Sequence, residues 1–271
     1  MQDLLSHPAV QGGIAPFLVA LVAAIALRRW RLSGLALAAG FITTVLLTSS
    51  FGLTPLTATR KAILLVVLAA ALGTVLARSG WRWMRVSLAT AAGIAILWVT
   101  WRILQQHQFV TALPWGAGCA AYAAWLVFWS DRLHGQPARA GSAGLALGLG
   151  TGLAALLGSS TLLGMLGLSL GAASGAYLLV PMLTGRQLPC SRAFTLPLSL
   201  ASAVIGCLGV LTASLPWYAL LVLAAVPSVA QLPVPRRAPL RLQLLQLSVL
   251  SLACTAVAVY LTWRINGALP I

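Results

Sequence analysis

The stretch from residue 141 to residue 175 reads GSAGLALGLGTGLAALLGSSTLLGMLGLSLGAASG, and it holds ten of the 25 glycines of the chain. It carries no charge, and with the apolar residues as far as Leu183 it offers room for two membrane spans, each needing roughly 20 residues. Two sets of glycines recur at intervals of four: Gly144, Gly148 and Gly152, then Gly167, Gly171 and Gly175. That interval keeps small residues on one helix face, where two backbones can approach closely. The stretch therefore predicts two helices packed along a glycine seam.

The composition of the whole chain extends this prediction to a membrane protein. Hydrophobic residues make up 60% of the sequence and charged residues only 7%, whereas soluble domains carry about 25% charged residues. The same length rule predicts an all-α, polytopic transmembrane bundle of about ten helices, or nine if Gly158-Ser159-Ser160-Thr161 does not separate two of them. The predicted helices lie near 10–27, 32–51, 61–77, 86–104, 110–129, 142–158, 161–183, 193–212, 215–230 and 240–264.

The positive charges alternate along the predicted loops and fix an orientation. If the N-terminus is outside, thirteen of the 17 Lys and Arg residues fall on the inner side, where membrane proteins retain positive charge. Four fall outside: Arg60, Lys61, Arg102 and Arg264. This bias predicts that both termini are outside. A composition rich in Arg, Ala, Leu and Gly, with one Lys, favours a multi-pass protein of the bacterial inner (plasma) membrane.

The chain reads as a single membrane-embedded domain, 1–271, without a soluble domain. Two halves, 1–131 and 140–271, would each have five helices, as in inverted-repeat transporters. The sequence Leu113-Pro114-Trp115 is echoed by Leu215-Pro216-Trp217. A second echo has a different offset, so the two echoes define no common repeat.

The two acidic residues of the chain are Asp3 and Asp131, and there is no glutamate. Asp131 follows an apolar run and is expected in a basic loop, outside the helices. A bundle without a buried carboxylate lacks the usual residue for coupling protons or sodium to movement. The sequence therefore predicts transport that is not coupled through a carboxylate.

Residues that could carry catalysis or hold a cofactor are scarce. The three histidines, His7, His107 and His134, fall in loops or at helix ends, so a membrane haem has no facing pair. The four cysteines share no CxxC spacing that would indicate a metal site, and no catalytic motif occurs. We predict no enzyme activity, no cofactor, no metal and no nucleic-acid partner. The excess of arginine is explained by membrane orientation and by contact with anionic lipid headgroups.

One group of residues breaks the charge rule and suggests a binding site. Arg60 and Lys61 lie on the outer side, at a helix N-terminus that already favours anions, just after Thr57 and Thr59. Arg102 and His107 come at the outer end of the next helix and could share this vestibule. The hypothesis is an anion or headgroup site; the alternative is an ordinary pair of cations that reach the lipid headgroups.

Three functions remain open from the sequence. The first is a small permease or flippase-like carrier for a neutral or anionic solute or lipid. The alternative is a non-catalytic membrane subunit of a larger complex, and a second alternative is a lipid-processing membrane enzyme. The expected partners are membrane lipids, together with other membrane subunits or further copies of the chain if the subunit hypothesis holds.

Overall fold

The computed structural model of the protein describes residues 7–30, 32–48, 57–78, 83–106, 108–234 and 239–267. These residues form helices and no β-strand, which confirms the predicted all-α bundle. Ten helices follow one another in the described residues, α1 to α10: Val10–Trp30, Leu35–Leu47, Ala58–Val75, Met84–Leu104, Phe109–Asp131, Pro137–Leu157, Thr161–Thr184, Arg192–Thr212, Trp217–Val229 and Leu240–Asn266. Eight are long and apolar enough to cross a membrane, and the two shorter ones, α2 and α9, are apolar as well.

A tight turn separates α6 from α7 and decides between nine and ten helices. Ser159 has a φ of 69°, in the left-handed region that ends a helix. The N–H of Ser160 donates to the carbonyl oxygen of Ala155 at 3.0 Å, so the freed carbonyl groups of α6 are used within the turn. The chain then reverses, and α7 begins at Thr161.

Three helices occupy the centre of the bundle. In the most apolar 18-residue window of α6, α7 and α8, 78, 72 and 89% of the residues are buried, against 22 to 33% in the other five long helices. All eight helices are apolar, so hydrophobicity alone does not separate the centre from the rim. The central helices α6 and α7 are instead distinguished by their small residues, which permit close contact between backbones.

The glycine faces of α6 and α7 lie directly against each other. A Cβ atom added to Gly148 would stand 2.1 Å from the backbone nitrogen of Gly171, and one added to Gly152 would stand 2.5 Å from the backbone nitrogen of Leu168. A Cβ on Gly144 would meet the Ser174 hydroxyl at 2.6 Å. The facing backbone therefore leaves no space for a side chain at Gly148 and Gly152, whereas a side chain at Gly144 would require the Ser174 hydroxyl to move.

The two remaining seam glycines differ from each other. A Cβ on Gly167 would lie 2.5 Å from the Cα of Gly152, which places it within the contact. At Gly175 the nearest atom, a methyl carbon of Leu145, would be 3.5 Å away, an ordinary contact distance. The close backbone contact therefore extends from Gly148 against Gly171 to Gly152 against Gly167, and Gly175 lies at its edge.

The peripheral helices are arranged around this centre. Helices α1 and α2 pack against α7, α3 packs against α8, and α5 joins α8 while α4 packs on α5. On the other side, α10 packs along α6 and covers α9. The proposed halves therefore share one core, since helices from 1–131 pack against central helices from 140–271.

The helix ends form two layers that differ in composition. We call the arginine end the described residues within 27–34, 74–85, 131–139, 185–192 and 230–241. We call the opposite end the described residues within 47–57, 104–109, 157–161, 212–217 and 262–267. Hydrogen bonds tie the segments of each layer; at the opposite end the Asn266 side-chain amide donates to the carbonyl oxygens of Leu157 and Ser214. Which layer faces the cytoplasm stays a prediction.

Candidate functional site

The expectation that Asp131 lies in a loop, outside the helices, was wrong. Asp131 is the last residue of α5 and is 4% exposed. Helix α5 continues to the end of its apolar run and beyond, so the carboxylate is drawn into the packed interior of the arginine end. The bundle therefore contains a buried carboxylate; Asp3 lies outside the described residues.

A buried arginine from another helix neutralises this carboxylate. Arg192, at the start of α8 and 5% exposed, donates from Nε to Oδ1 of Asp131 at 2.7 Å and from Nη2 to Oδ2 at 3.3 Å. Two parallel bonds of this kind are the strong, orienting form of an arginine–carboxylate contact. The remaining amino group, Nη1, donates to the carbonyl oxygen of Leu76 at 3.1 Å. Arg192 therefore ties the end of α3 to α5 and α8.

Two further side chains, Arg85 and His134, contact Asp131. Together with Asp131 and Arg192 they form what we call the ion network. Arg85, at the start of α4, places its Nε 3.5 Å from Oδ2 of Asp131. His134 brings Nδ1 to the carbonyl oxygen of Asp131 and to within 4.0 Å of Oδ1. The network thus joins the ends of α3, α4, α5 and α8 at one place.

The burial of Asp131 follows the helical periodicity of α5 in the structure, which the sequence of this helix, apolar on all its faces, does not reveal. The buried residues of α5 recur at intervals of three and four, and Asp131 continues the series: Cys119, Tyr122, Ala123, Leu126, Val127, Ser130 and Asp131. Residues at these intervals share one helix face. Arg192 was counted only as an orienting charge, because nothing in a single sequence connects it with a residue 61 positions earlier.

A large cavity opens beside the ion network at the arginine end. It has a volume of about 840 Å³. Its wall is drawn from the ends of α1, α3 and α6 and from the loop between α7 and α8, and it includes Arg28, Thr74, Gly135, Gln187, Cys190 and Ser191. A second cavity of about 300 Å³, which contains Arg139 and Gln243, shares Gly135, Pro137 and Gln187 with the first. The two cavities therefore adjoin along this ridge.

The backbone around the cavity is held by specific contacts. Gly135 has a φ of 82°, which favours glycine, and its N–H donates to the carbonyl oxygen of Cys190 at 3.2 Å. The Ser33 hydroxyl donates to the carbonyl oxygen of Pro189 at 2.8 Å. Burial raises the pKa of the Cys190 thiol to about 12. At neutral pH this cysteine is therefore a thiol, and it offers no nucleophile to the cavity.

At the opposite end, the residues predicted to bind an anion have other partners. The Thr57 hydroxyl accepts from the backbone N–H of Arg60 at 3.4 Å and so caps α3. The ammonium of Lys61 donates to the carbonyl oxygen of Trp98 at 3.1 Å and lies 4.8 Å from the centre of the Trp98 ring. Arg102 follows Trp98 by one helical turn on α4 and is exposed.

For two residues of the predicted anion site, Thr59 and His107, the structure gives no contact that bears on anion binding. Thr59 is half-buried in the first turn of α3, and His107 lies outside the described residues. The structure therefore brings Lys61 to α4, near the turn that carries Arg102, and leaves the anion hypothesis a prediction.

An apolar groove of about 490 Å³ also lies at the opposite end, between the ends of α4 and α5. It is lined by large side chains, among which Phe109 is 80% and Leu113 62% exposed. The groove is therefore apolar and open at the surface of the bundle.

Neither a metal site nor a related protein points to a function. In the described part of the chain, no three histidine, cysteine or acidic side chains come together as metal ligands. No protein-family model matches the chain, and a comparison with curated protein sequences finds no match. Within the described residues, the ion network and the two adjoining cavities are therefore the features that bear on function.

Proposed function

We propose that the protein is a small carrier, of the permease or flippase type, for a neutral or anionic solute or lipid that passes the arginine end. The observation that carries this proposal is that the chain on the wall of the 840 Å³ cavity continues directly into the ion network. Cys190 and Ser191 line the cavity, and the next residue, Arg192, holds Asp131. A solute in the cavity would contact the residues that immediately precede Arg192 in the chain.

The energetics of the ion network support a role in opening and closing. Burying an ion pair costs desolvation, and apolar residues of similar size are often equally stabilising or better. Its best-attested advantage is that it specifies one arrangement against another. In this bundle, water entering from the cavity could solvate Arg192 and Asp131 and release α3 and α4 from α8. The network therefore suits a gate at the arginine end.

Coupling to protons or sodium remains outside the proposal, even though a buried carboxylate is present. Both oxygens of Asp131 face guanidinium groups, Oδ1 that of Arg192 and Oδ2 those of Arg192 and Arg85. Two cations at this distance leave no favourable position for a sodium ion. Facilitated or exchange transport is the form that the residues support.

The alternative of a non-catalytic subunit is favoured by a different region. The apolar groove between α4 and α5 presents exposed aromatic and aliphatic side chains at the opposite end. A transmembrane helix of a partner could pack there. Under this alternative the ion network would be a static tie and the cavity a docking site for a soluble or membrane-bound subunit.

The cellular setting belongs to the same proposal. Arginine bias and composition support a bacterial plasma membrane with the arginine end on the cytoplasmic side. Cysteine substitutions at Arg186, in the loop between α7 and α8, and at Gln108, before α5, would test the orientation with a membrane-impermeant maleimide. Labelling of intact cells at position 108 and not at 186 is expected.

Reconstitution distinguishes the two functions. The purified chain is placed in liposomes, and three probes are followed: inorganic phosphate, glucose, and a fluorescent phosphatidylglycerol quenched from outside. A carrier should move at least one probe at several times the rate of protein-free liposomes. The proposal is overturned if all three rates match those of protein-free liposomes and the chain, extracted gently from its native membrane, migrates in a stoichiometric complex with another subunit.

A further inference from the structure

The guanidinium of Arg28 is a cation without a neighbouring carboxylate. Arg28 lines the 840 Å³ cavity at the end of α1 and is half-buried. Among the described residues, the one carboxylate side chain is that of Asp131, and it is engaged by Arg192 and Arg85. No acidic side chain lines either adjoining cavity. The positive charge on the cavity wall is therefore uncompensated by this part of the protein.

Some of the other polar side chains on the cavity wall already form hydrogen bonds within the protein, and others do not. The Thr74 hydroxyl donates to the carbonyl oxygen of Ala71 at 2.6 Å, and the Ser191 hydroxyl accepts from the N–H of Ala193. Gln187 is exposed and belongs to both cavities, where its amide can donate. The wall thus presents the guanidinium of Arg28 and the amide of Gln187 as donors to a ligand, and the Ser191 hydroxyl, which accepts from Ala193, keeps its own hydrogen to donate.

The adjoining 300 Å³ cavity contains a second cation, Arg139. Arg139 donates from Nη1 to the carbonyl oxygen of Gln231 at 2.7 Å, which fixes its guanidinium at the cavity wall. The ridge of Gly135 and Pro137 separates it from the part that contains Arg28. A concave surface with cations on both sides of a ridge concentrates anions, because its field lines converge over a low-dielectric wall.

We propose that the large cavity binds a phosphate-type anion, with Arg28 as the cation that contacts it and Gln187 as a neutral donor. Arginine is suited to this because its planar guanidinium can donate two parallel hydrogen bonds to one phosphate group. The anion could be a free phosphate ester or the headgroup of an anionic lipid, since the apolar window of α1 is the least buried among the eight long helices, at 22%. If the protein is the carrier proposed above, this anion is its substrate. Binding of the anion itself does not depend on the carrier function.

Binding is tested with a matched pair of neighbouring arginines. Arg29 follows Arg28 in sequence, is exposed and does not line the cavity. The chain with Arg28→Gln is compared with the chain with Arg29→Gln and with Arg28→Lys. One arm measures the shift in thermal stability that inorganic phosphate produces in detergent, against chloride at equal ionic strength. A second arm places the chain in nanodiscs of mixed lipid, extracts the chain again, and measures how much phosphatidylglycerol stays bound to it.

The two arms identify the source of the anion. Loss of a charge-assisted contact should weaken binding by about tenfold or more in Arg28→Gln, with little change in Arg29→Gln and partial retention in Arg28→Lys. An effect of Arg28→Gln in the phosphate arm assigns a soluble anion; an effect in the phosphatidylglycerol arm alone assigns a lipid headgroup. The inference is overturned if neither arm distinguishes Arg28→Gln from the unaltered chain, or if Arg29→Gln loses as much.

Transport is measured separately from anion binding. The same variants enter the liposome assay described above, which reports movement and not binding. If phosphate binds through Arg28 but no probe crosses the liposome membrane, the anion site stands and the carrier function fails. If a neutral probe such as glucose moves and binding of both anions is absent, the carrier stands and the anion site fails.

Discussion

The arginine end and the opposite end treat their cations differently. At the arginine end, Arg192 is 5% exposed and donates two hydrogen bonds to a buried carboxylate, Asp131. At the opposite end, Lys61 donates to the carbonyl oxygen of Trp98 and lies over its ring. The first arrangement is a buried ion pair that depends on both partners, and the second leaves the cation near solvent. The comparison indicates that charge is a structural tie at one end and a surface feature at the other.

Removing Arg192 should have the largest effect that follows from this comparison. Arg192→Ala leaves Asp131 buried and without its main partner, a situation that costs about 3–5 kcal/mol in proteins where it has been measured. We expect a large loss of thermal stability in detergent, measured by the temperature at which the chain loses its monodisperse peak. The double variant Asp131→Asn with Arg192→Gln removes both charges and should recover much of that loss. If the single and double variants are equally unstable, the ion pair is not the reason for the loss.

The glycine seam lies in the centre of the bundle, between the two ends, so its disruption should destabilise the whole chain. Gly171→Leu places a side chain against the α6 backbone, because even a Cβ atom would lie 2.9 Å from the backbone nitrogen of Leu149. We expect a loss of about 3 kcal/mol or more, in the upper range for overpacked cores. Gly175→Ala is the matched control on the same face, since its Cβ would have 3.5 Å of space. Equal thermal stability of these two variants would contradict the close contact of α6 and α7.

Substituting Lys61 should have a small effect, in contrast with Arg192. Lys61→Gln removes an ammonium that contacts the Trp98 ring, and such contacts contribute about 0.5–1 kcal/mol at exposed sites. The expected decrease in thermal stability is therefore a few degrees at most, and Lys61→Arg should restore it. A decrease as large as that of Arg192→Ala would mean that both ends depend on buried charge, and the contrast between them would disappear.

The sequence predicted the parts of this fold that depend on local composition. Ten apolar stretches became ten helices, and Gly158-Ser159-Ser160 ended α6 as expected because the turn needs a left-handed residue. Predicted ends moved where a local cap decides them, as at α3, which starts earlier than expected because Thr57 caps it. The echoed Leu-Pro-Trp sequences adopt different structures: Pro114 lies inside α5, whereas Pro216 precedes α9 as its cap.

The parts that escaped prediction depend on contacts between distant segments. Asp131 is buried because Arg192 and Arg85 reach it from other helices. The cavity with Arg28 exists because four loops meet at one end, and no property of a single loop reveals it. For the glycines, spacing indicated a packed face, but only the facing helix determines that Gly148 has no space for a Cβ atom and that Gly175 has some.

The last prediction concerns the cavity wall at the arginine end, where Cys190 is half-buried. Burial raises the pKa of Cys190 to about 12, so at pH 7 its reactive thiolate is scarce and should increase about tenfold per pH unit until the pH approaches that value. In a variant whose other three cysteines, Cys119, Cys207 and Cys254, are alanine, labelling by maleimide should therefore be slow at pH 7 and faster at pH 9. The same variant unfolded in detergent should label rapidly at both. Rapid labelling of the folded chain at pH 7 would mean that water already fills the wall beside Arg192, and the tie formed by Asp131 would then be as solvated as the contacts at the opposite end.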